Sequence, residues 1–246
     1  RIAETGNVDF CYNEVWGDET PFTDIYTIIK TNDMNSNHTL KSIFAAYMNY
    51  ECSNREFNIP GVLLTDAVIF ALGGAHLELG DHMLCREYFP SQDVKMSPAL
   101  KTLIVRYYDF MTAYQNLLRG ESSKAEVQVE VVSTATRKVP FNNWPPKEAS
   151  VTTYAKKIGG RTIINFLNFR TVDNLSWRDL KGTRPAPAKV IKSPVKIKYD
   201  AKATKVWVAS PDQHAGAAQE LAFTQENGYI SVVLPSLEYW TMLVIE

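Results

Sequence analysis

The sequence predicts an α/β unit followed by a β unit, and three observations carry that reading. Strand and helix patterns alternate three times over the first 120 residues, only strand patterns follow, and the charge balance reverses at the same place. Residues 1–120 carry 9 Lys and Arg against 15 Asp and Glu, a balance of −6, while residues 121–246 carry 17 against 12, a balance of +5. The expected domains are therefore 1–120 and 121–246. With 246 residues, 45% hydrophobic and a net charge of −1, there is apolar material to build a core in each.

The elements follow in order. VDFCY (8–12) is a compact strand-like run that ends in Asn13, Glu14, Val15 and Trp16. Residues 21–31 form the first helix, opened by Pro21 and Thr23, with Ile25, Ile28 and Ile29 on one face. SIFAAYMNY (42–50) is a second strand, and 60–74 reads as a buried helix stopped by Gly73 and Gly74. AHLELG (75–80) is the third strand. The clearest helix covers 96–120, with Pro98 near its start, Gly120 at its end and Leu100, Leu103, Ile104, Tyr107 and Met111 among its apolar face.

From 121 the patterns are all β. VQVEVV (127–132) alternates, 153–169 is a hairpin turning at Gly159-Gly160, and VKIKYD (195–200) alternates again. KVWVAS (205–210), a second hairpin over 220–235 with an Asn227-Gly228 turn, and YWTMLVIE (239–246) complete an expected antiparallel β-sandwich. Residues 182–194 are a Pro-rich connection, and Trp207 and Trp240 are expected to fill the sandwich. Three βα units make a parallel sheet that buries little and leaves unpaired edges. Such a sheet is expected to be part of a larger one, completed by the rest of a longer protein or by another chain.

Parallel α/β barrels carry their working residues at the C-terminal ends of strands. Here those ends deliver Asn13, Glu14 and Trp16, then Tyr47, Asn49 and Tyr50, then His76, Glu78 and Asp81. A carboxylate, an amide and flat aromatics on one rim compose a sugar site: the carboxylate moves protons and the rings pack on pyranose C–H faces. Trp16 is read as a stacking or wall residue against simple packing. Tyr47 and Asn49 are read as ligand contacts or as their support. His76 and Glu78, two apart on a strand, form either a substrate-binding pair or a buried ion pair. Asp9 reads as structural, and Tyr88 and Phe89 as either cleft or packing residues. Three cysteines, Cys11, Cys52 and Cys85, have no C-x-x-C spacing, so neither a disulfide framework, a metal site nor a cofactor is expected.

The segments VDFCYNEVWGDETPFTDI, FAAYMNY, GVLLTDAVIFALGGAHLELGDHMLCREYFP, YYDFMTAYQNLLRG and SLEYWTMLVIE resemble glycoside hydrolase family 66, the endo-dextranases and cycloisomaltooligosaccharide glucanotransferases. The resemblance implies a (β/α)8 barrel flanked by β domains, of which residues 1–120 are the C-terminal part. It also implies a retaining mechanism on α-1,6-glucan. The family's D-F-x-Y-x-E-x-W segment falls on Asp9, Phe10, Tyr12, Glu14 and Trp16, which makes Glu14 the acid/base. The family's Asp nucleophile lies on an earlier barrel strand and has no counterpart in this sequence. The chain opens on Arg1 in a polar stretch and reads as a fragment or processed product, inactive by itself.

The implied partner is an α-glucan (dextran or isomaltooligosaccharides). Dispersed lysines without stacked aromatics speak against nucleic acid, and no apolar run is long enough to span a bilayer. Hydrolysis is favoured over cyclisation, because residues 51–59 leave no room for the carbohydrate-binding module inserted in cyclising relatives. The substrate implies an extracellular, cell-surface or periplasmic location, although no export signal is visible. The rivals are a non-catalytic glucan-binding protein, a retaining α-glycosidase of another barrel family, and a fragment that folds by dimerising.

Overall fold

The computed structural model describes residues 6–15, 17–18, 20–77, 85, 94–120 and 126–246. The chain divides into two compact units: residues 1–124 with 174–186, and residues 125–173 with 187–246.

In the first unit, β1 (Phe10–Val15), β2 (Lys41–Ala46) and β3 (Ala75–His76) form an open parallel sheet in the order β1-β2-β3. Helix α1 (Phe22–Asn35) joins β1 to β2, and α2 (Ile59–Ala71) joins β2 to β3. Every residue of α2 from Gly61 to Ala71 is buried, the state expected of a helix that is apolar on all sides. The helix expected over 96–120 is broken: α3 (Pro98–Ala113) stops at Tyr114 (φ −108°, ψ 19°), and a single turn, α4 (Gln115–Leu118), follows. The start is capped by the Ser97 hydroxyl, which accepts from the Leu100 N–H at 3.2 Å. A Cβ at Gly120 would stand 2.6 Å from the Asn116 carbonyl oxygen, so this close approach requires glycine. The second strand ends at Ala46, not Tyr50, and the third comprises residues 75–76; residues 78–80 of its expected range lie outside the described part.

The second stretch of this unit, 174–186, lies in the middle of the expected β domain. It runs along the ends of β1 and β2. The Phe22 N–H donates to Leu175 O at 3.0 Å, Trp177 N–H to Thr20 O at 2.9 Å and Glu51 N–H to Leu180 O at 2.9 Å. The Phe22 bond satisfies one of the amide donors that the first turn of α1 leaves without an intrahelical partner.

The second unit holds two sheets. One runs β11-β10-β14-β8-β7-β4, comprising β4 (Glu126–Val127), β7 (Val151–Ile158), β8 (Arg161–Asn168), β10 (Val206–Ala209), β11 (Gln219–Glu220) and β14 (Trp240–Ile245). A further strand, β6 (Phe141–Asn143), pairs with β7. The other runs β12-β13-β9-β5, from β5 (Val131–Ser133), β9 (Val190–Lys198), β12 (Phe223–Glu226) and β13 (Tyr229–Leu237). One hydrophobic cluster draws on both: Val151, Ile164, Phe166 and Leu243 from the first, Val195, Ile197, Ile230 and Leu234 from the second. Both hairpins turn where the sequence places them, with Gly159 and Gly160 at φ 51° and 82° and Asn227 and Gly228 at φ 52° and 75°. The run 127–132 splits between β4 and β5, which belong to different sheets, and β9 begins inside the Pro-rich connection.

Candidate active site

The pleat of the three-stranded sheet sorts the expected site residues onto two faces. Parallel pairing sets Tyr12 opposite Ile43 and Glu14 opposite Ala45, and Ile43 in turn opposite Ala75. These residues share one face. Asn13 opposite Phe44, and Phe44 opposite His76, share the other. The second face meets the helices. There the Asn32 amide of α1 donates to Asn13 Oδ1 at 3.0 Å and to Ser42 Oγ at 2.9 Å. His76 Nδ1 lies 2.8 Å from Asp66 Oδ1 of α2, and its Nε2 lies 3.3 Å from Ala46 O. Both ring nitrogens of His76 thus lie against partners on the helical side of the sheet, on the face opposite Glu14. The Tyr108 hydroxyl donates to its main-chain carbonyl.

The first face holds Tyr12 and Glu14. Glu14 is exposed near the C-terminal end of β1, and the Tyr12 hydroxyl donates to its Oε1 at 2.9 Å. Partial desolvation, and after it the Glu14 carboxylate, push the Tyr12 phenol up to about 12, so it keeps its proton as a donor at neutral pH. Tyr47, just past β2, packs on Ala45, the register partner of Glu14, and is 5% exposed. Glu14, Tyr12 and Tyr47 are thus brought together, and Asn13 and His76 are not. Trp16 and Glu78, like Asp81, Tyr88 and Phe89, lie outside the described residues.

Asn49 is fully buried in a left-handed conformation (φ 58°). Its Nδ2 donates to Asp179 O at 2.6 Å, and its Oδ1 accepts from the Asn58 N–H at 2.9 Å. Both ends of the amide thus bond the surrounding frame.

The residues missed by sequence reasoning are in 174–186. The guanidinium of Arg178, 1% exposed, donates from Nη1 to Tyr47 O at 3.2 Å and from Nη2 to Gly17 O at 3.1 Å. One side chain thereby holds the main chain just beyond both β1 and β2, while packing over the Trp177 ring at 4.5 Å. Asp179 accepts from the amides of Thr183 and Arg184 at 2.9 and 3.1 Å, and from Asn58 Nδ2 at 2.7 Å. The available signal was the Trp177-Arg178-Asp179 run, too polar and too bulky for an idle connection.

Among the described residues no group of three or more His, Cys, Asp or Glu is placed to hold a metal ion. None of their helices is long and apolar enough to cross a membrane.

Comparison with known proteins gives the same family from two directions. The chain is similar to a cycloisomaltooligosaccharide glucanotransferase of Niallia circulans, 32% identical over 204 residues, covering 77% of this chain and 20% of the relative. It is also similar to a dextranase of Streptococcus salivarius, 27% identical over 291 residues, covering 97% of this chain and 35% of the relative. The chain thus spans about a fifth to a third of these curated relatives. The crystal structure of a Paenibacillus sp. cycloisomaltooligosaccharide glucanotransferase complexed with cycloisomaltoheptaose shares its fold, with a TM-score of 0.84 at 19% identity over 99% of this chain and 53% of that one. Because the family model for glycosyl hydrolase family 66 matches residues 1–244, the chain belongs to that family.

Proposed function

We propose that this chain is part of a retaining endo-dextranase that hydrolyses α-1,6-glucosidic bonds, with Glu14 as its acid/base. The observation that carries the reading is the position of the Glu14 carboxyl. It stands near the C-terminal end of a parallel strand, on the face away from the helices, 2.9 Å from a phenol that fixes it. In this reading residues 1–120, joined by 174–186, are the last βα units of a (β/α)8 barrel, and the two sheets beyond them form an antiparallel sandwich. The exposed face of β1 then lines the barrel mouth. Tyr47, Trp16 and Glu78 contact the glucan, while Asn13, Asn49 and His76 support the strand ends from behind.

Glu14 protonates the departing glucosyl oxygen and later activates water, and a second carboxyl about 5 Å away forms the glucosyl-enzyme. We assign that nucleophile to a part of the longer protein, since the chain spans 20% to 35% of its curated relatives. A polymeric substrate sets the work outside the cytoplasm, in the medium, at the cell surface or in the periplasm. The identities of 32% and 34% to two glucanotransferases, above the 27% to a dextranase, favour a second reading. There the glucosyl-enzyme is captured by the glucan's own free end and a ring is released.

The test is Glu14→Gln in the complete protein. Turnover of dextran should fall by roughly 10²–10⁴-fold, the usual worth of general acid–base catalysis, with dextran binding retained. Chromatography of the wild-type products separates linear isomaltooligosaccharides from rings, and so hydrolysis from cyclisation. Undiminished turnover by the variant sinks the assignment of Glu14. Dextran binding without turnover in the wild type makes the protein a non-catalytic binder.

A further inference from the structure

We infer that the second unit binds a phosphate group in a basic cleft at the start of β9. The cleft has a volume of about 260 Å³ and lies between the loop after β5, the end of β8 and the beginning of β9. Five cations line it: Arg137, Lys138, Arg170, Lys189 and Lys192. Among the described residues no Asp or Glu lines it. Lys189 pairs with Glu238 at 2.8 Å, and both of those side chains are well exposed to solvent.

Five like charges gathered round one concavity repel one another, a cost that a bound anion relieves. A solvated face of lysines would carry no fixed geometry, but two features here are fixed. Arg170 is tethered by its Nη1, which donates to the carbonyls of Ala188 and Lys189 at 3.2 and 3.5 Å. That leaves the rest of its planar fork for a ligand. Ser193 also lines the cleft; it is 3% exposed, and its hydroxyl is buried with no hydrogen-bond partner. A buried hydroxyl without a partner costs free energy that native structures rarely leave uncompensated. An oxyanion in the cleft supplies the missing acceptor.

Local backbone geometry produces the arrangement. Lys192 sits in a left-handed conformation, φ 43°, in the middle of a strand. The period-two alternation of β9 breaks there, so Ile191 and Lys192 both face solvent while Ser193 turns inward.

The chemistry selects the ligand. A neutral α-glucan offers nothing for five cations, so this site is independent of the proposed activity. A tetrahedral oxyanion matches the fork of Arg170, flanking ammonium groups and a hydroxyl donor. No aromatic side chain lines the cleft, which removes the stacking platform that single-stranded nucleic acid uses. Phosphate is the shared chemistry, either as the free ion or as an ester on a sugar.

Isothermal titration calorimetry on the 246-residue chain tests the site, with inorganic phosphate and glucose 6-phosphate as probes and sodium chloride holding ionic strength constant. Both probes should bind. Tighter binding of the ester identifies a sugar phosphate as the ligand class, and equal binding identifies the free ion. Lys138→Ala combined with Lys192→Ala should weaken both at least about tenfold, the scale of two charge-assisted contacts. Ser193→Ala should weaken both by about threefold or more, within the scale of one hydrogen bond to a charged group. It should also leave the melting temperature in chloride unchanged or raised, because it removes no protein hydrogen bond. Phosphate heats no larger than those of chloride, or variants that bind like the wild type, overturn the site.

Discussion

At the scale of single residues, the pair that matters is Tyr12 and Glu14. Two apart on one strand, they project from the same side, and the phenol donates to the carboxylate at 2.9 Å. Tyr12 is 48% exposed, so Tyr12→Phe removes a hydroxyl without opening a cavity. A hydrogen bond to a charged group is worth about 1.5–3 kcal/mol, discounted here for exposure to water. The expected outcome in the complete protein is a fall in kcat on dextran of about tenfold, with KM and melting temperature unchanged. A fall in melting temperature that accounts for the lost activity makes Tyr12 a structural residue instead. The residue types of this site were legible in the sequence, and their faces were not. In FCYNEV both parities carry apolar side chains, so alternation cannot tell which side meets the helices. The outcome turned on Asn32 and Asp66, distant in sequence, whose bonds draw Asn13 and His76 to the helical side.

At the scale of elements, the segment 174–186 acts as a clip across the strand ends, and it depends on α2 having a glycine at its start. A Cβ on Gly61 would stand 2.4 Å from Asp179 Oδ2, closer than any real contact. Asp179 cannot yield easily, because it accepts two amides of its own turn and the Asn58 side chain. Gly61→Ala should therefore destabilise the chain by about 1–3 kcal/mol, the cost of overpacking a filled site, despite the higher helix propensity of alanine. Thermal denaturation measures this, with Gly159→Ala as the contrast. That position is strained by φ alone and has open space around it. An unchanged melting temperature in Gly61→Ala means that the clip is not seated against α2. The elements themselves were legible where local chemistry decides them: the two-residue turns need positive φ, and Gly159-Gly160 and Asn227-Gly228 supply it. They were illegible where tertiary partners decide them. Nothing local in NLSWRDLKGTRPA announces that Leu175, Arg178 and Leu180 will accept amides from Phe22, Asn49 and Glu51.

At the scale of the whole molecule, the order of the chain and the order of its units differ. The segment departs from the second unit after Asp173 and returns to it at Pro187. A cut after residue 124, close to the 120/121 boundary suggested by sequence, leaves this segment out of the first unit. The fragment would lose Trp177 and Arg178, 0% and 1% exposed, from its interior, together with Arg184, whose guanidinium lies 5.5 Å from the Phe22 ring centre. Burial of one large apolar side chain is worth about 1.5–3 kcal/mol. Three buried donors would also be stranded: the amides of Phe22 and Asn49, and the Thr65 hydroxyl that donates to Trp177 O at 3.0 Å. Each buried donor left unpaired costs a further ~1–3 kcal/mol, and together these losses match the whole stability of an ordinary domain. Residues 1–124 are thus expected to show no cooperative thermal transition and a near-ultraviolet circular dichroism signal without fixed aromatic structure. A version in which a short linker joins residue 124 to 174–186 should recover both. Cooperative melting of 1–124 alone would show that the parallel sheet and its helices hold without the clip. Arg178 would then be ornamental to the strand ends that carry Glu14 and Tyr47.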